Sequence, residues 1–405
     1  MSHFVELHFP DREVAAPKTF GELPIWACGF RPFFFGGALL AALSISLWLF
    51  VFFGGVQMGG AAGPMGWHIH EMIFGFTTAI IAGFLLTAVP KWTRTPTISG
   101  SKLAAIFGLW FAGRVAMAAA AVIPYWIVFA VDFLFLPVLA VAISMPIIRS
   151  RTARNLGFVP LLAGLAAANA LFHLNILGVL STGSLAVDAG LGIIIVIISI
   201  IGGRVIPFFT VSRLGHAPLK SYRIIEWGAV GLTVAWLVSL LIWPTSMATG
   251  VMALIAGAAN MIRMHSWGSF RSFGVPLLWI LHIGYAFVGL GLILFGLATL
   301  EIATTRSVAL HALTTGAIGL LCLGMMARVA LGHSGRALQA HKVTVAAFIL
   351  VVAAAAVRVF VPWLAPAVYT TAVIASGILW TAAWVLFLGI YTPILFRRRA
   401  DGRSG

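Results

Sequence analysis

Twelve long apolar runs decide what this chain can become. Their limits are about 33–55, 67–89, 103–123, 125–147, 157–180, 185–209, 225–243, 246–264, 274–298, 307–331, 343–363 and 367–396. About 20 apolar residues suffice to cross a bilayer as a helix. In lipid, only helices and closed barrels satisfy their own backbone, and runs this long and continuous mean helices. The expected fold is therefore all-α: a polytopic membrane protein of about twelve transmembrane helices. Of its residues, 61% are hydrophobic and only 9% charged, against about 25% charged in a soluble domain.

The loops set the orientation. Basic residues gather in alternate loops: Arg12, Lys18 and Arg31; Lys91, Arg94 and Lys102; Arg149, Arg151 and Arg154; Arg204, Arg213, Lys220 and Arg223; Arg263 and Arg271; Arg328, Arg336 and Lys342; Arg397, Arg398, Arg399 and Arg403. Of the 25 Lys and Arg, only Arg114, Arg306 and Arg358 fall elsewhere. The positive-inside rule then puts both termini in the cytoplasm. The same distribution accounts for the net charge of +15 without nucleic acid as a partner; the surrounding partner is membrane lipid. Residues 1–27 hold no apolar h-region, so no cleavable signal peptide is expected. Two cysteines, Cys28 and Cys322, set no disulfide framework.

A weak repeat divides the spanning part. Phe30-Arg31-Pro32-Phe33-Phe34 opens run 1, Phe158-Val159-Pro160-Leu161-Leu162 opens run 5, and Gly274-Val275-Pro276-Leu277-Leu278 opens run 9. The prolines are 128 and 116 residues apart, four runs each time. Proline is favoured in a first helical turn, where its missing N–H costs nothing. Three repeats of four helices would cover 29–150, 157–265 and 273–396. A cytoplasmic segment, 1–32, would precede the twelve-helix domain, 33–396, and a basic tail, 397–405, would come after it.

Within this frame the stretch Trp67-His68-Ile69-His70-Glu71-Met72 stands out. Ionisable groups inside a membrane are costly and generally functional. At ~1.5 Å per residue, His70 lies about 5 Å below the outer end of run 2, and His311 about 5–8 Å down run 10. His173 lies about 24 Å up run 5, again in the outer third. Asn169 and Asn175 flank it, and Asp188 opens run 6 at a similar level. His68 and Met72 share a helical face, while His70 points elsewhere. The plainest role for a lone buried histidine is a hydrogen bond to a neighbouring helix. Three or four at one depth, with Glu71 and Met72, suit a cofactor better. Imidazole is a common haem and metal ligand, and thioether with imidazole suits copper. No CxxCH or paired CxxC chooses between them. His282 is too deep on the wrong side to join this group, and His216, His265 and His333 belong to the cytoplasmic face. There Arg204, Arg328, Arg336 and His333 would hold an anion or haem propionates, or act as ordinary positive-inside anchors.

Five ordered motifs resemble the NnrS family: Phe30-Arg31-Pro32-Phe33-Phe34, Gly66-Trp67-His68-Ile69-His70-Glu71-Met72, Gly202-Gly203-Arg204-Val205-Ile206-Pro207-Phe208-Phe209-Thr210, His311-Ala312-Leu313-Thr314-Thr315-Gly316-Ala317-Ile318-Gly319 and Arg328-Val329-Ala330-Leu331-Gly332-His333-Ser334-Gly335-Arg336. The last carries Ser334 where threonine is expected. The resemblance implies a haem- and copper-containing protein of the bacterial inner membrane, linked to denitrification and nitric oxide tolerance. It supplies cofactors and context, and no reaction. Nitric oxide or a redox partner would be its counterpart. The chain is also faintly similar to subunit I of the haem–copper oxidases, whose twelve helices form three arcs of four. There a low-spin haem lies between histidines of helices 2 and 10. The oxidases hold copper with histidines on helices 6 and 7, and neither of those runs has one here. That departure argues against an oxygen or nitric oxide reductase of the same design.

These readings give an expected assignment. His70 and His311 would be axial ligands of one haem, with Arg204, Arg328, Arg336 and His333 at its propionates. His68, Met72 and His173 would bind copper, with Glu71 orienting a ligand. Two other classes compete: a secondary transporter or copper/haem handling protein, since some transporter folds also carry internal repeats, and a haem-bearing sensor, which the lack of a soluble output domain weakens. An absorption spectrum separates the haem proteins from plain transport.

Overall fold

The computed structural model describes residues 19–55, 58–151, 153–215 and 222–402, without the side chains of 153 and 154. Arg12, Lys18, His216, Lys220, Arg403 and the Arg154 side chain lie outside the described residues. Every regular element among those described is helical. Twelve helices are long and apolar enough to cross a membrane: α1 (Phe30–Phe52), α2 (Gly60–Thr93), α3 (Gly100–Ala118), α4 (Tyr125–Arg149), α5 (Phe158–Ile176), α6 (Leu185–Leu214), α7 (Arg223–Ile242), α8 (Met247–Trp267), α9 (Pro276–Thr299), α10 (Arg306–His333), α11 (Lys342–Leu364) and α12 (Pro366–Phe396). All twelve expected runs are therefore present, and α1 begins three residues early, at Phe30, with Pro32 in its first turn. Odd-numbered helices start at one face of the bundle, the first face, and finish at the second.

Lipid shapes the surface as water would shape a soluble bundle's. Leu43, Phe50, Phe111, Ile255 and Ile378 stay exposed on outward helix faces, where acyl chains replace water as their solvent. The interior is apolar and continuous, with Phe30, Phe33, Phe34, Trp236, Trp384 and Tyr391 buried in it. The first helix packs against α12 and α2, α8 against α9, and α11 against α12, which joins the two ends of the chain in one bundle. Arg31 ties them by hydrogen bonds from Nη1 to the carbonyl oxygens of Leu395 (2.8 Å) and Arg397 (2.6 Å).

Two helices depart from α geometry at equivalent places. In α2 a π-helix runs over Glu71–Thr77, directly after His70. In α10 one runs over Ala312–Gly319, directly after His311. The α6 helix is α-helical from Leu185 to Leu214. Single π turns inside α-helices are rare and recur at functional sites.

Polar residues inside the bundle are organised around arginines. Near the first face, Arg263 of α8 donates from Nε to Glu226 Oε2 (2.6 Å) and from Nη1 to the Ser199 carbonyl (2.8 Å) and Tyr285 Oη (3.0 Å). The Tyr285 hydroxyl donates to Asn260 Oδ1 (2.7 Å). Room for that guanidinium comes from Gly203: a Cβ there would lie 1.6 Å from Arg263 Nη2. Anchored by three partners, Arg263 cannot swing away. We expect Gly203→Ala to cost about 1–3 kcal/mol, the usual range for overpacking, read as a lower melting temperature in detergent. Gly228→Ala is the control, because its Cβ would meet nothing within 4 Å; a Gly203→Ala protein as stable as that control would remove the packing role.

Candidate metal centre and the paired histidines

Seven polar residues from four helices meet in the half of the bundle nearer the second face. Their positions are set by the local sequence. Pro137 has no N–H for the carbonyl four residues back, and α4 is broken at Leu134, between helical pieces Tyr125–Phe133 and Phe135–Arg149. Asp132 sits at that break. On α5, Asn169 and His173 are four residues apart and share a face. On α3, Arg114 lies one turn beyond Trp110, whose Nε1 donates to the Gly75 carbonyl (2.9 Å) and pins α3 to the π turn.

The contacts form one closed network. His70 Nδ1 lies 3.2 Å from Glu71 Oε1, and its Nε2 lies 3.0 Å from Asn169 Oδ1 and 3.2 Å from Asp132 Oδ2. His173 Nε2 lies 2.9 Å from the same Asp132 oxygen, and its Nδ1 lies 3.1 Å from Tyr125 Oη. Asn169 Nδ2 donates to Asp132 Oδ2 (2.9 Å). Arg114 joins the two carboxylates: Nη1 donates to Glu71 Oε1 (2.6 Å) and Nη2 to Asp132 Oδ1. His70 and His173 are 0% exposed, so only these partners can satisfy them. Gly75 leaves the space for Arg114, since a Cβ there would lie 2.3 Å from Nη1.

The division of labour within the network favours a cation. Arg114 occupies one oxygen of Asp132 and leaves the other to two imidazole nitrogens. Glu71 backs His70 at Nδ1, and Tyr125 backs His173, which turns both Nε2 atoms inward. Ligand donors of His70, Asp132 and His173 lie within 4.8 Å of one another, all buried. Two carboxylates face one guanidinium, and both ring nitrogens of His70 face acceptor oxygens, so a second proton on His70 or a bound cation balances the network. Two imidazoles and a carboxylate suit a first-row divalent ion such as copper(II), zinc or iron(II).

The structure groups the expected site residues differently. His70 meets His173, ring centroids 5.0 Å apart, and not His311. His68 stacks on Trp48 (4.5 Å, 14°) rather than joining His173. Met72, inside the π turn, packs partly buried against the apolar core. His311 holds its Nδ1 2.7 Å from the Ser307 carbonyl oxygen. The wider π turn accounts for Met72 leaving the face of His68, because it changes the register of the residues after Glu71 relative to those before it.

At the first face each of the four expected propionate residues has partners of its own. Arg204 donates to Asn155 Oδ1 (3.2 Å) and lies over Phe158. Arg328 lies 3.9 Å over the Phe209 ring. His333 packs on Phe30, with Nε2 3.4 Å from Lys91 Nζ. Arg336 Nη1 donates to the Ser334 carbonyl (3.4 Å), and burial together with the Arg397 charge lowers its pKa. His282 is satisfied by Ser269 and Thr210, each 3.0 Å away.

Arg114, Tyr125 and Asp132 join this network although the sequence reading gives them no role in it. The sequence carries a signal for two of them. Asp132 is an acid in the middle of an apolar run, and Arg114 falls outside the basic loops. Each is an intramembrane charge, and such a charge needs a partner.

The family model described as NnrS protein matches residues 24–399. No curated protein matches the chain.

Proposed function

The chain belongs to the NnrS family, and from that premise we propose that this multi-pass membrane protein binds haem and copper and acts in the response to nitric oxide, as a redox or nitric oxide-handling protein. The observation that carries this reading is the buried His70–Asp132–His173 group, in which two imidazoles face one carboxylate oxygen. We place the first face, with its basic loops, in the cytoplasm and the metal group towards the outer leaflet of the bacterial inner membrane.

The donor set fits copper(II). His70, His173 and Asp132 would hold it, and a copper ion there supplies one-electron exchange and a coordination position for nitric oxide. The protein's own part is positioning. Glu71 accepts the Nδ1 proton of His70 and fixes the tautomer that turns Nε2 to the site, as outer partners of metal-bound histidines do. Arg114 restrains Asp132 and offsets the second carboxylate. Phe74, Phe172 and Phe129 pack on the two imidazoles and keep water from their faces. Haem would take its ligands from histidines outside this network, and His68 and His311 stand outside it.

Elemental analysis of the purified protein tests the reading. Wild type is expected to carry copper, and Asp132→Asn and His173→Ala to lose it while their melting shows folded protein. Nitric oxide should alter the copper(II) paramagnetic spectrum of wild type only. A wild-type protein free of metal, or variants as loaded as wild type, would overturn the reading.

A further inference from the structure

Among the described residues four arginines are buried: Arg31 (1% exposed), Arg114 (8%), Arg263 (3%) and Arg328 (4%). Three of them meet oxygen. Arg31 donates to the carbonyls of Leu395 and Arg397, Arg114 to Glu71 and Asp132, and Arg263 to Glu226. Arg328 is the exception. Its guanidinium carbon lies 3.9 Å from the centroid of the Phe209 ring. Its Nε is fully buried without a partner, and no described residue accepts a hydrogen bond from the group.

A guanidinium carries five N–H donors in one plane. Phe209 covers a face of that plane and takes none of the donors, so the edge is left for another group. A buried charge without a counter-charge is costly, and stacking on a ring offsets only part of that cost. The described carboxylates of the first face are committed elsewhere: Glu226 to Arg263, Asp401 to Arg399, and Glu22 to an interaction of its own. The nearest charge along the chain of Phe209 is instead a second cation. Arg213 stands four residues beyond Phe209 on the same face of α6. A helical side chain leans back over the turn before its own Cα, which brings the exposed Arg213 over the turn that Arg328 packs on.

Two cations facing one aromatic ring, one of them buried and unpaired, call for an anion between them. The arginine fork suits an oxyanion with two oxygens side by side. Depth selects among such anions. Arg328 lies five residues before His333, where α10 ends, or about 8 Å inside that end. The anions concentrated at this level of a bilayer are lipid phosphates, and basic pockets between spanning helices bind phospholipid headgroups.

We propose that Arg328 and Arg213, near the ends of α10 and α6 at the first face, form a binding site for a phosphate group, carried by a phospholipid headgroup or free in solution. The site shares no residue with the metal group, which lies in the other half of the bundle, and it stands whether or not copper or haem is bound.

Lipid-stripped protein in detergent tests it with three probes: phosphatidylglycerol, inorganic phosphate, and diacylglycerol, which keeps the acyl chains and lacks the phosphate. Native mass spectrometry counts bound lipid, and calorimetry reads phosphate. Wild type is expected to bind a phosphate-bearing probe in preference to diacylglycerol. Arg328→Gln should weaken that binding by about 10–100-fold, as expected for a hydrogen bond to a charged group. Arg328→Lys keeps the charge and loses the fork, and should fall between. Arg213→Gln should weaken binding by a smaller factor. Arg149→Gln is the control, because Arg149 is exposed in another first-face loop, and should bind as wild type does. Phosphatidylglycerol bound without inorganic phosphate assigns the phosphate to lipid. Inorganic phosphate bound in an Arg328-dependent way assigns it to solution, and both results sustain the site. Wild-type affinity in Arg328→Gln overturns the proposal; if that variant does not fold, wild-type affinity in Arg213→Gln does so. An equal loss in Arg149→Gln, equal binding of diacylglycerol, or a wild type that binds none of the probes overturns it as well.

Discussion

Arg114→Leu should destabilise the protein by about 3–5 kcal/mol, the range for breaking a buried ion pair from one side. Arg114 is 8% exposed and faces Glu71 and Asp132, each almost wholly buried. Leucine would fill much of its volume but leave two carboxylates 1–2% exposed without their cation. A buried unpaired charge is the costly half of a broken pair. Arg114→Leu combined with Glu71→Gln and Asp132→Asn removes the charges together and should recover part of the loss. Residues in one network are not additive, so the triple variant should be more stable than the sum of its single changes. Unfolding in detergent, followed by tryptophan fluorescence, measures this. Simple additivity across the three sites would mean that Arg114 acts through packing and not through charge.

The sequence was legible where the physics is periodic or cumulative. Twelve helices follow from run length, because no other structure satisfies a continuous apolar chain in lipid. The positions of His68, His70, His173 and His311 near one face follow from a constant rise per residue. Partner choice was not legible in the same way. His68 and Met72 share a face only if α geometry continues through Glu71, and it does not. Nor does an apolar pattern reveal a π turn, since every face of α2 is buried or nearly so. The more instructive case is the three basic residues outside the loops. Their departure from the topology pattern was itself the information. Arg114 bridges Glu71 and Asp132, Arg306 bonds Asp188 (2.5 Å), and Arg358 donates to Tyr369 Oη (3.4 Å). A cation that does not serve orientation has to serve a partner inside the bundle.

Deleting Met72 should weaken copper binding and lower the melting temperature more than Met72→Ala does. The π-helix over Glu71–Thr77 accommodates a residue more than an α turn of the same height, and the Thr77 hydroxyl marks the wider turn by donating to the Met72 carbonyl (2.7 Å) five residues back. Removing one residue lets the helix close to α geometry. The segments on either side then keep about their present orientation, since an α turn of that height holds one residue fewer, and the rearrangement falls within the turn. The later segment is fixed by Thr87, which accepts from the Phe30 backbone N–H (3.0 Å). Glu71 would be drawn away from Arg114 and from His70 Nδ1, and Gly75 from Trp110, which loosens the imidazole that faces Asp132. Met72→Ala is the necessary comparison, because it removes the same side chain and keeps the register. It should retain copper and lose only the stability of a partly buried thioether. Metal content and melting temperature of the two variants decide the matter: if the deletion keeps both at the level of Met72→Ala, the π turn does not aim His70, and α2 reaches the metal group by its ordinary helical face.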